Sequence, residues 1–203
     1  PISHGNIIFE GNDIKNQFLN IGYLPQEFGL FKELTVYESL CLFANFKETP
    51  QNILKSEVER CIKLVGLEEK ANCRVKHLSG GMVRRVGIAQ ALLGTPWLIL
   101  LDEPCAGLDP EERLRFKTII SKIKGNHIII ISTHIVEDVE NMCDKLIVMN
   151  DGRIIKCDYC KEIQNSANGK VYEIQEYAAD QIQKPFLIQR SFKFDETNYI
   201  RFL

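Results

Sequence analysis

Two runs of unbroken apolar residues stand out along the chain, Trp-Leu-Ile-Leu-Leu at 97–101 and four isoleucines at 128–131. Both have strand length, and their continuous rather than alternating apolar character predicts strands buried on both faces of a parallel sheet. Between them Asp109, Pro110, Glu111 and Glu112 read as an N-cap with Pro at the first helical position. That start opens a helix carrying Leu114, Ile119, Ile120 and Ile123 toward Gly125, so the three elements form one strand, helix and strand crossover. Shorter strands are predicted at 7–9, running into turn residues at 10–13, and at 21–24, ended by Pro25; both are expected at sheet edges. Thr35 and Glu38 have the spacing of a capping box ahead of a helix to about Phe46, and Ser56 and Glu59 repeat it ahead of a helix through Val65, stopped by Gly66. Another amphipathic helical run follows Met82, and it opens with Ser79, Gly80 and Gly81. Residues 145–149 and 153–155, around Asn150, Asp151 and Gly152, read as a hairpin. Beyond Asp158 the pattern predicts a strand at 169–175, a short helix at 176–184, and a hairpin from 186–194 and 199–203 turning at 195–198.

Composition narrows the class. With 203 residues, 45% hydrophobic and 26% charged, the chain is ordinary globular material, long enough for one full core and a small appendage. The net charge of −2, with no stretch gathering Lys and Arg into a basic face, gives no footprint of a nucleic-acid partner. The apolar runs fall far short of the roughly 18 residues a spanning helix needs, and no signal-peptide pattern opens the chain, so a soluble, unexported chain is expected. Seven cysteines at irregular spacing disfavour a disulfide framework and suggest the reducing cytosol. Cys157 and Cys160 form a lone C-x-x-C without a second pair or nearby His, and are read as two ordinary thiols.

Candidate chemistry lies at helix starts and strand ends. Ser79 at a helix N-cap, followed by two residues without side chains, exposes amide groups at the positive end of the helix dipole and forms a seat for a phosphate. The same three residues can also be a plain junction between loop and helix. About twenty residues on, the buried strand ends in Asp102 and Glu103, placing two carboxylates at the carboxyl edge of a parallel sheet, where α/β proteins hold ligands. One could serve a Mg²⁺ and the other a water. The alternative is a solvated strand end, against which Pro104 and the Gly107-Leu108-Asp109 turn argue for an ordered loop. Ser132, Thr133 and His134 end the next strand and bring an imidazole to the same edge, where His134 alone reads equally as a surface residue.

These residues carry a resemblance over nearly the whole chain to the nucleotide-binding subunit of an ATP-binding cassette (ABC) transporter. LSGGM at 78–82 resembles the family signature, LILLDEP at 98–104 the Walker B strand, AGLDP at 106–110 the D-loop, STH at 132–134 the switch histidine, and YLPQ at 23–26 the Q-loop. Five motifs in the expected order and spacing make the match specific. It implies an α/β fold, a P-loop NTPase-type parallel sheet core over 1–158 with a helical signature subdomain at about 28–95, and a small C-terminal α+β accessory segment at 159–203. It implies ATP and Mg²⁺, with Gln26 sensing nucleotide and metal, Asp102 in the metal shell, Glu103 as general base, and His134 on the γ-phosphate and attacking water. Ser79, Gly80 and Gly81 would bind the γ-phosphate of ATP held by an opposite subunit, and Asp109 would touch the facing site, in a homodimer or heterodimer. A membrane-spanning permease would be the further partner, with the chain peripheral at the cytoplasmic face. Phe28, Leu30 and Phe31 would either meet that permease or pack locally. Arg84 and Arg85 are read as a solvated or interfacial basic face.

The chain also departs from the family pattern. No G-x-x-x-x-G-K-[ST] occurs in these residues, nor the aromatic that would stack on adenine. The expectation is a chain truncated just after the Walker A helix, ahead of Pro1; the alternative is a module without Walker A that donates its signature to a partner's ATP. The accessory segment resembles that of exporter-type, ABC-2 ATPases. Soluble relatives in DNA repair carry long coiled coils, and no sustained heptad array occurs here, which favours transport. The transported substrate is not encoded in these features.

Overall fold

A computed structural model describes residues 5, 7–9, 12–13, 20–135, 142–167, 172–175, 188–194 and 197–202. Contacts divide the chain into two compact units, Pro1–Met142 and Cys143–Leu203, a division ahead of the boundary expected at 158. The first unit contains a two-stranded ribbon, β1 (Ile8–Phe9) with β2 (Asn12–Asp13), and a three-stranded sheet made of β3 (Ile21–Leu24), β4 (Leu98–Asp102) and β5 (Ile128–Ser132). All three strands of that sheet run parallel, in the order β3-β4-β5, with Leu101 opposite both Leu24 and Ile131. Among the described residues four α-helices accompany them: α1 (Val36–Phe46), α2 (Gln51–Leu64), α3 (Gly80–Leu92) and α4 (Pro110–Ile123).

The helix starts follow from their caps. Thr35 accepts from the Glu38 amide (3.1 Å) while Glu38 accepts from the Thr35 amide (2.8 Å), closing the predicted capping box of α1. Asp109 caps α4 through Oδ1 and the Glu112 amide (2.8 Å), with Pro110 at the first position. Helix α2 corrects its expected start. It begins at Gln51 after Pro50, whose carbonyl accepts from Ile53 and Leu54 (both 3.0 Å). Ser56, expected as a cap, sits inside the helix and donates its hydroxyl to the Ile53 carbonyl (2.8 Å).

Burial corrects the strands as well. Ile99 and Leu101 of β4 are buried, but Ile128 and Ile130 of β5 are exposed, as is Tyr23 of β3. Tyr23, Leu100 and Ile130 lie in register across one face, so β5 is a half-buried strand rather than one covered on both faces. The opposite face packs on α3 at unusually short range. A Cβ on Gly22 would fall on the Ala91 carbonyl oxygen, and one on Gly87 would lie 2.6 Å from Leu24 Cδ1 and 2.8 Å from Phe28 Cδ1. Phe28 also packs on Phe43 (ring centroids 6.0 Å apart), whereas Phe31 stays exposed. The first aromatic therefore belongs to local packing and the second faces outward.

Charged side chains from α1 and α2 finish the carboxyl end of α3. Lys47 donates to the Leu93 carbonyl (3.0 Å) and Arg60 to the Leu92 carbonyl (2.9 Å), placing cations where the helix dipole is negative. Arg60 also grips Glu57 through two nitrogens (2.8 and 2.7 Å) and holds that carboxyl below its usual range, while Glu57 accepts from the Gly94 amide (2.7 Å).

The second unit holds the hairpin of β6 (Lys145–Asn150) and β7 (Arg153–Tyr159), joined by Asp151 and Gly152, both at positive φ, as a two-residue turn requires. A helix absent from the sequence reading, α5 (Cys160–Ala167), follows and packs on β7. Strands β8 (Tyr172–Gln175), β9 (Ile188–Phe194) and β10 (Thr197–Phe202) form an antiparallel sheet in the order β8-β10-β9. The turn residues Glu10 and Gly11, the expected helix at 176–184, and Asp195 and Glu196 lie outside the described residues. None of the seven cysteines is in a disulfide, and burial pushes the Cys61 thiol up to about 12.

Two measurements check this packing. Gly22→Ala should cost about 3 kcal/mol in chemical denaturation, because the new methyl meets backbone that cannot swing away. Brief alkylation of the native protein at pH 8 should label exposed Cys157 and spare buried Cys61, as read by peptide mass spectrometry.

Candidate functional site

The carboxyl edge of the parallel sheet gathers three of the predicted site residues, Asp102, Glu103 and His134. Asp102 ends β4 opposite Ser132, which ends β5. Ser132 donates its hydroxyl to Asp102 Oδ1 (2.5 Å), and its oxygens accept from the Glu103 amide, the carbonyl at 3.1 Å and the hydroxyl at 3.2 Å. Glu103 sits at φ +45°, in the left-handed region that a residue with a side chain rarely enters. Strain of this kind costs on the order of 1–3 kcal/mol and persists only where the surroundings over-determine it. His134 places Nδ1 2.8 Å from Glu103 Oε1, so a proton on Nδ1 is donated to the carboxylate and Nε2 is left for an outside partner. The imidazole is 75% exposed and the Glu103 side chain 18%. Oε2 of Glu103 is buried without a hydrogen-bond partner, although an unpaired buried carboxylate oxygen is costly unless something arrives to use it.

Arg84 and Arg85 overturn the expectation of a basic face. They are 9% and 5% exposed. Arg84 donates Nε to Pro104 (3.0 Å), Nη1 to Pro25 (2.9 Å) and Gln26 (2.8 Å), and Nη2 to Asp102 (2.8 Å) and Glu103 (2.7 Å), in every case to the backbone carbonyl. Burial lowers the pKa of this guanidinium, which nonetheless stays charged. Arg85 donates to the Val65 (3.1 Å) and Gly66 (3.0 Å) carbonyls and pairs with Glu112, its Nε 3.1 Å from Oε2. That last contact is Coulombic, because neither atom has a well-aligned hydrogen bond. The sequence offered no periodic signal for this inward orientation: α3 is buried nearly all round from Arg84 to Leu92, so polarity did not mark an outer face.

The signature residues lie apart from the carboxylates. Ser79 caps α3 by accepting from the Met82 amide (3.2 Å). Among the described residues no hydrogen bond or ion pair joins Ser79, Gly80, Gly81 or Asp109 to Asp102, Glu103 or His134. The two glycines differ in what demands them. A Cβ on Gly80 would meet open space, whereas one on Gly81 would lie 2.5 Å from Glu112 Cγ. Gly80 thus leaves the helix start bare, while Gly81 lets α4 approach. Gln26 has an exposed side chain, and its backbone carbonyl shares the Arg84 guanidinium with the backbone carbonyls of Asp102 and Glu103. Sequence reasoning missed two members of the site, Arg84 and Ser132. The Ser132 position in the STH run at the end of β5 was the available signal.

A parallel α/β sheet with acidic and imidazole groups at its carboxyl edge places them where α/β proteins hold ligands, and the fold is of the P-loop NTPase type, as its match to a solved ABC component shows. The chain belongs to the ABC transporter family, whose model matches residues 1–106. It is similar to the Nod factor export ATP-binding protein I of Rhizobium meliloti, 38% identical over 138 residues that make up 68% of this chain and 41% of that protein. It is also 30% identical over 203 residues to ABC transporter A family member 8 of Dictyostelium discoideum, covering 98% of this chain and 24% of that one. The solved structure of cbiO1 from Clostridium perfringens, described as part of the ABC transporter complex cbiONQ, superposes with a TM-score of 0.72 at 29% identity, covering 80% of this chain and 69% of that one. The chain therefore spans less than half the length of either curated relative named here.

Because Glu103 combines a strained backbone with a buried, unpartnered oxygen, Glu103→Gly should hold or raise stability, by up to about 1 kcal/mol. Thermal unfolding checks it; a clear fall in midpoint would mean that Glu103 is not strained.

Proposed function

We propose that this chain is the ATP-hydrolysing part of an exporter-type ABC transporter. In this reading it acts as one of two head-to-tail copies at the cytoplasmic face, coupled to a separate membrane-spanning permease. The observation that carries the reading is Glu103, held out of its relaxed backbone conformation with one oxygen bound to His134 and the other buried and unpartnered. Such a carboxylate suits a water that must be oriented and deprotonated. The exporter subtype draws support from a relative whose name states export. Among the described residues no helix is long and apolar enough to cross a membrane.

Glu103 accepts a proton from the attacking water through Oε2, the water oxygen bonds to the γ-phosphorus, and the bond from that phosphorus to the bridging oxygen breaks to release ADP. His134 steadies Glu103 through Nδ1 and offers Nε2 to the γ-phosphate. Asp102, with Oδ1 engaged by Ser132, and Gln26 are the residues that would hold Mg²⁺. The Asp102 carboxylate and the Gln26 side-chain carbonyl are hard oxygen donors, which fit a cation that takes one or two protein ligands and keeps water and phosphate for the rest. Bound with ATP, Mg²⁺ supplies charge neutralisation on the phosphate oxygens. Ser79 and the amides behind Gly80 receive the γ-phosphate of the facing copy's ATP, with Asp109 near that site; the open space at Gly80 supports this. Neither curated relative's name fixes a substrate for this chain.

In the native protein, Glu103→Gln should lower ATP turnover by about 10²–10⁴-fold and accumulate an ATP-bound dimer in size-exclusion chromatography with Mg-ATP. A monomer under those conditions, with turnover unchanged, would remove both the base and the paired arrangement.

A further inference from the structure

We propose that Arg84 is a positioning residue for hydrolysis, locking the strained Glu103 peptide and the Gln26 loop onto α3 through a single guanidinium. This rests on the ATPase reading of the site. Arginine has five N–H donors in a rigid planar fork, and here each of five carbonyls receives one at 2.7–3.0 Å. Three of the carbonyls belong to consecutive residues, Asp102, Glu103 and Pro104, and two to Pro25 and Gln26 beyond the end of β3. Two loops far apart in sequence are thereby tied to one side chain that projects from the second turn of α3, the helix that Ser79 caps.

The reason to assign more than stability is the conformation being held. At φ +45° Glu103 would relax if free. Its amide is fixed by both oxygens of Ser132, its carboxylate by His134, and its carbonyl by Arg84. Of these, only Arg84 also holds the carbonyls on either side of Glu103. With the amide held by β5 and three successive carbonyls held by the fork, the peptide cannot rotate, and Oε2 stays aimed where it has no protein partner. The same fork fixes the backbone of Gln26, so any displacement of that loop must move the guanidinium and, with it, the Glu103 peptide. Lysine cannot substitute, because three tetrahedral donors on a point charge leave at least two of these carbonyls unpaired.

The test uses the intact native protein and compares Arg84→Lys with Lys47→Met. The latter also removes a half-buried cation that donates to carbonyls at the end of α3, but that makes no hydrogen bond to the loops holding the carboxylates. Arg84→Lys should lower kcat by about 10–100-fold with KM for ATP, and Kd for a fluorescent ATP analogue, within about threefold. Lys47→Met should lower the unfolding temperature and keep kcat within about twofold. Hydrogen exchange supplies a readout independent of turnover: in Arg84→Lys, peptides covering 25–27 and 102–105 should lose protection together, by about tenfold or more, while peptides of α2 keep theirs. Wild-type kcat in Arg84→Lys, or an equal kcat loss in Lys47→Met at matched stability, would overturn the assignment. So would protection lost in only one of the two peptides. Should the wild type turn over no ATP, the hydrolysis reading fails, and the exchange experiment alone then decides whether Arg84 couples the two loops. If Arg84→Lys does not fold, Arg84→Gln, whose amide keeps two donors, takes the same readouts.

Discussion

Five backbone carbonyls from two loops converge on one guanidinium, and most of what distinguishes the site follows from meeting that requirement. A charge taken out of water without a carboxylate to pair with it must be solvated by dipoles, and each donor left unmatched would carry a desolvation cost. Arg84 meets it with carbonyls of Pro25, Gln26, Asp102, Glu103 and Pro104. The chain after β3 and the chain after β4 are consequently drawn against α3 at fixed height. Such closeness also needs α3 to approach the sheet, which Gly22 and Gly87 permit by offering no Cβ to the Ala91 carbonyl or to Leu24 and Phe28. Glycine and arginine thus act on the same packing problem, one by omission and the other by reach.

Against that frame the carboxylates divide their work by environment. Asp102 is held by a hydroxyl from the neighbouring strand, whereas Glu103 is turned through a left-handed backbone and keeps one oxygen without a partner. Two adjacent acids at the same strand end are therefore not equivalent: one is tied to a neighbouring hydroxyl and the other keeps a buried oxygen without a partner. The signature glycines divide in a similar way. Gly81 is required by Glu112 of α4, and Gly80 leaves the helix start open. A motif that reads as one anion seat is part packing and part opening.

The local elements were legible because their signals are local. The capping box at Thr35 and Glu38, the Asp109 and Pro110 helix start, and the Asp151 and Gly152 turn each depend on residues within four positions of one another, and each formed as their spacing predicts. Ser56 was misleading because a hydroxyl can bond within its own helix as well as cap it, while Pro50 set the actual start. The isoleucines of β5 carry the pattern of double burial because hydrophobicity reports preference for burial and not the cover available; here every second one is exposed.

The sequence by itself determined the order of elements from β3 to β7, the five motifs, the placement of Asp102, Glu103 and His134 at strand ends, and the family those motifs belong to. Only the tertiary structure decided that Arg84 and Arg85 point inward, that Ser132 joins Asp102 to Glu103, and that Glu103 is strained with a buried free oxygen. The physical reason is range. Capping, turn and strand preferences are set by neighbours along the chain, whereas the fate of a buried charge is set by carbonyls 18 to 59 residues away that meet it only after the sheet and α3 have packed.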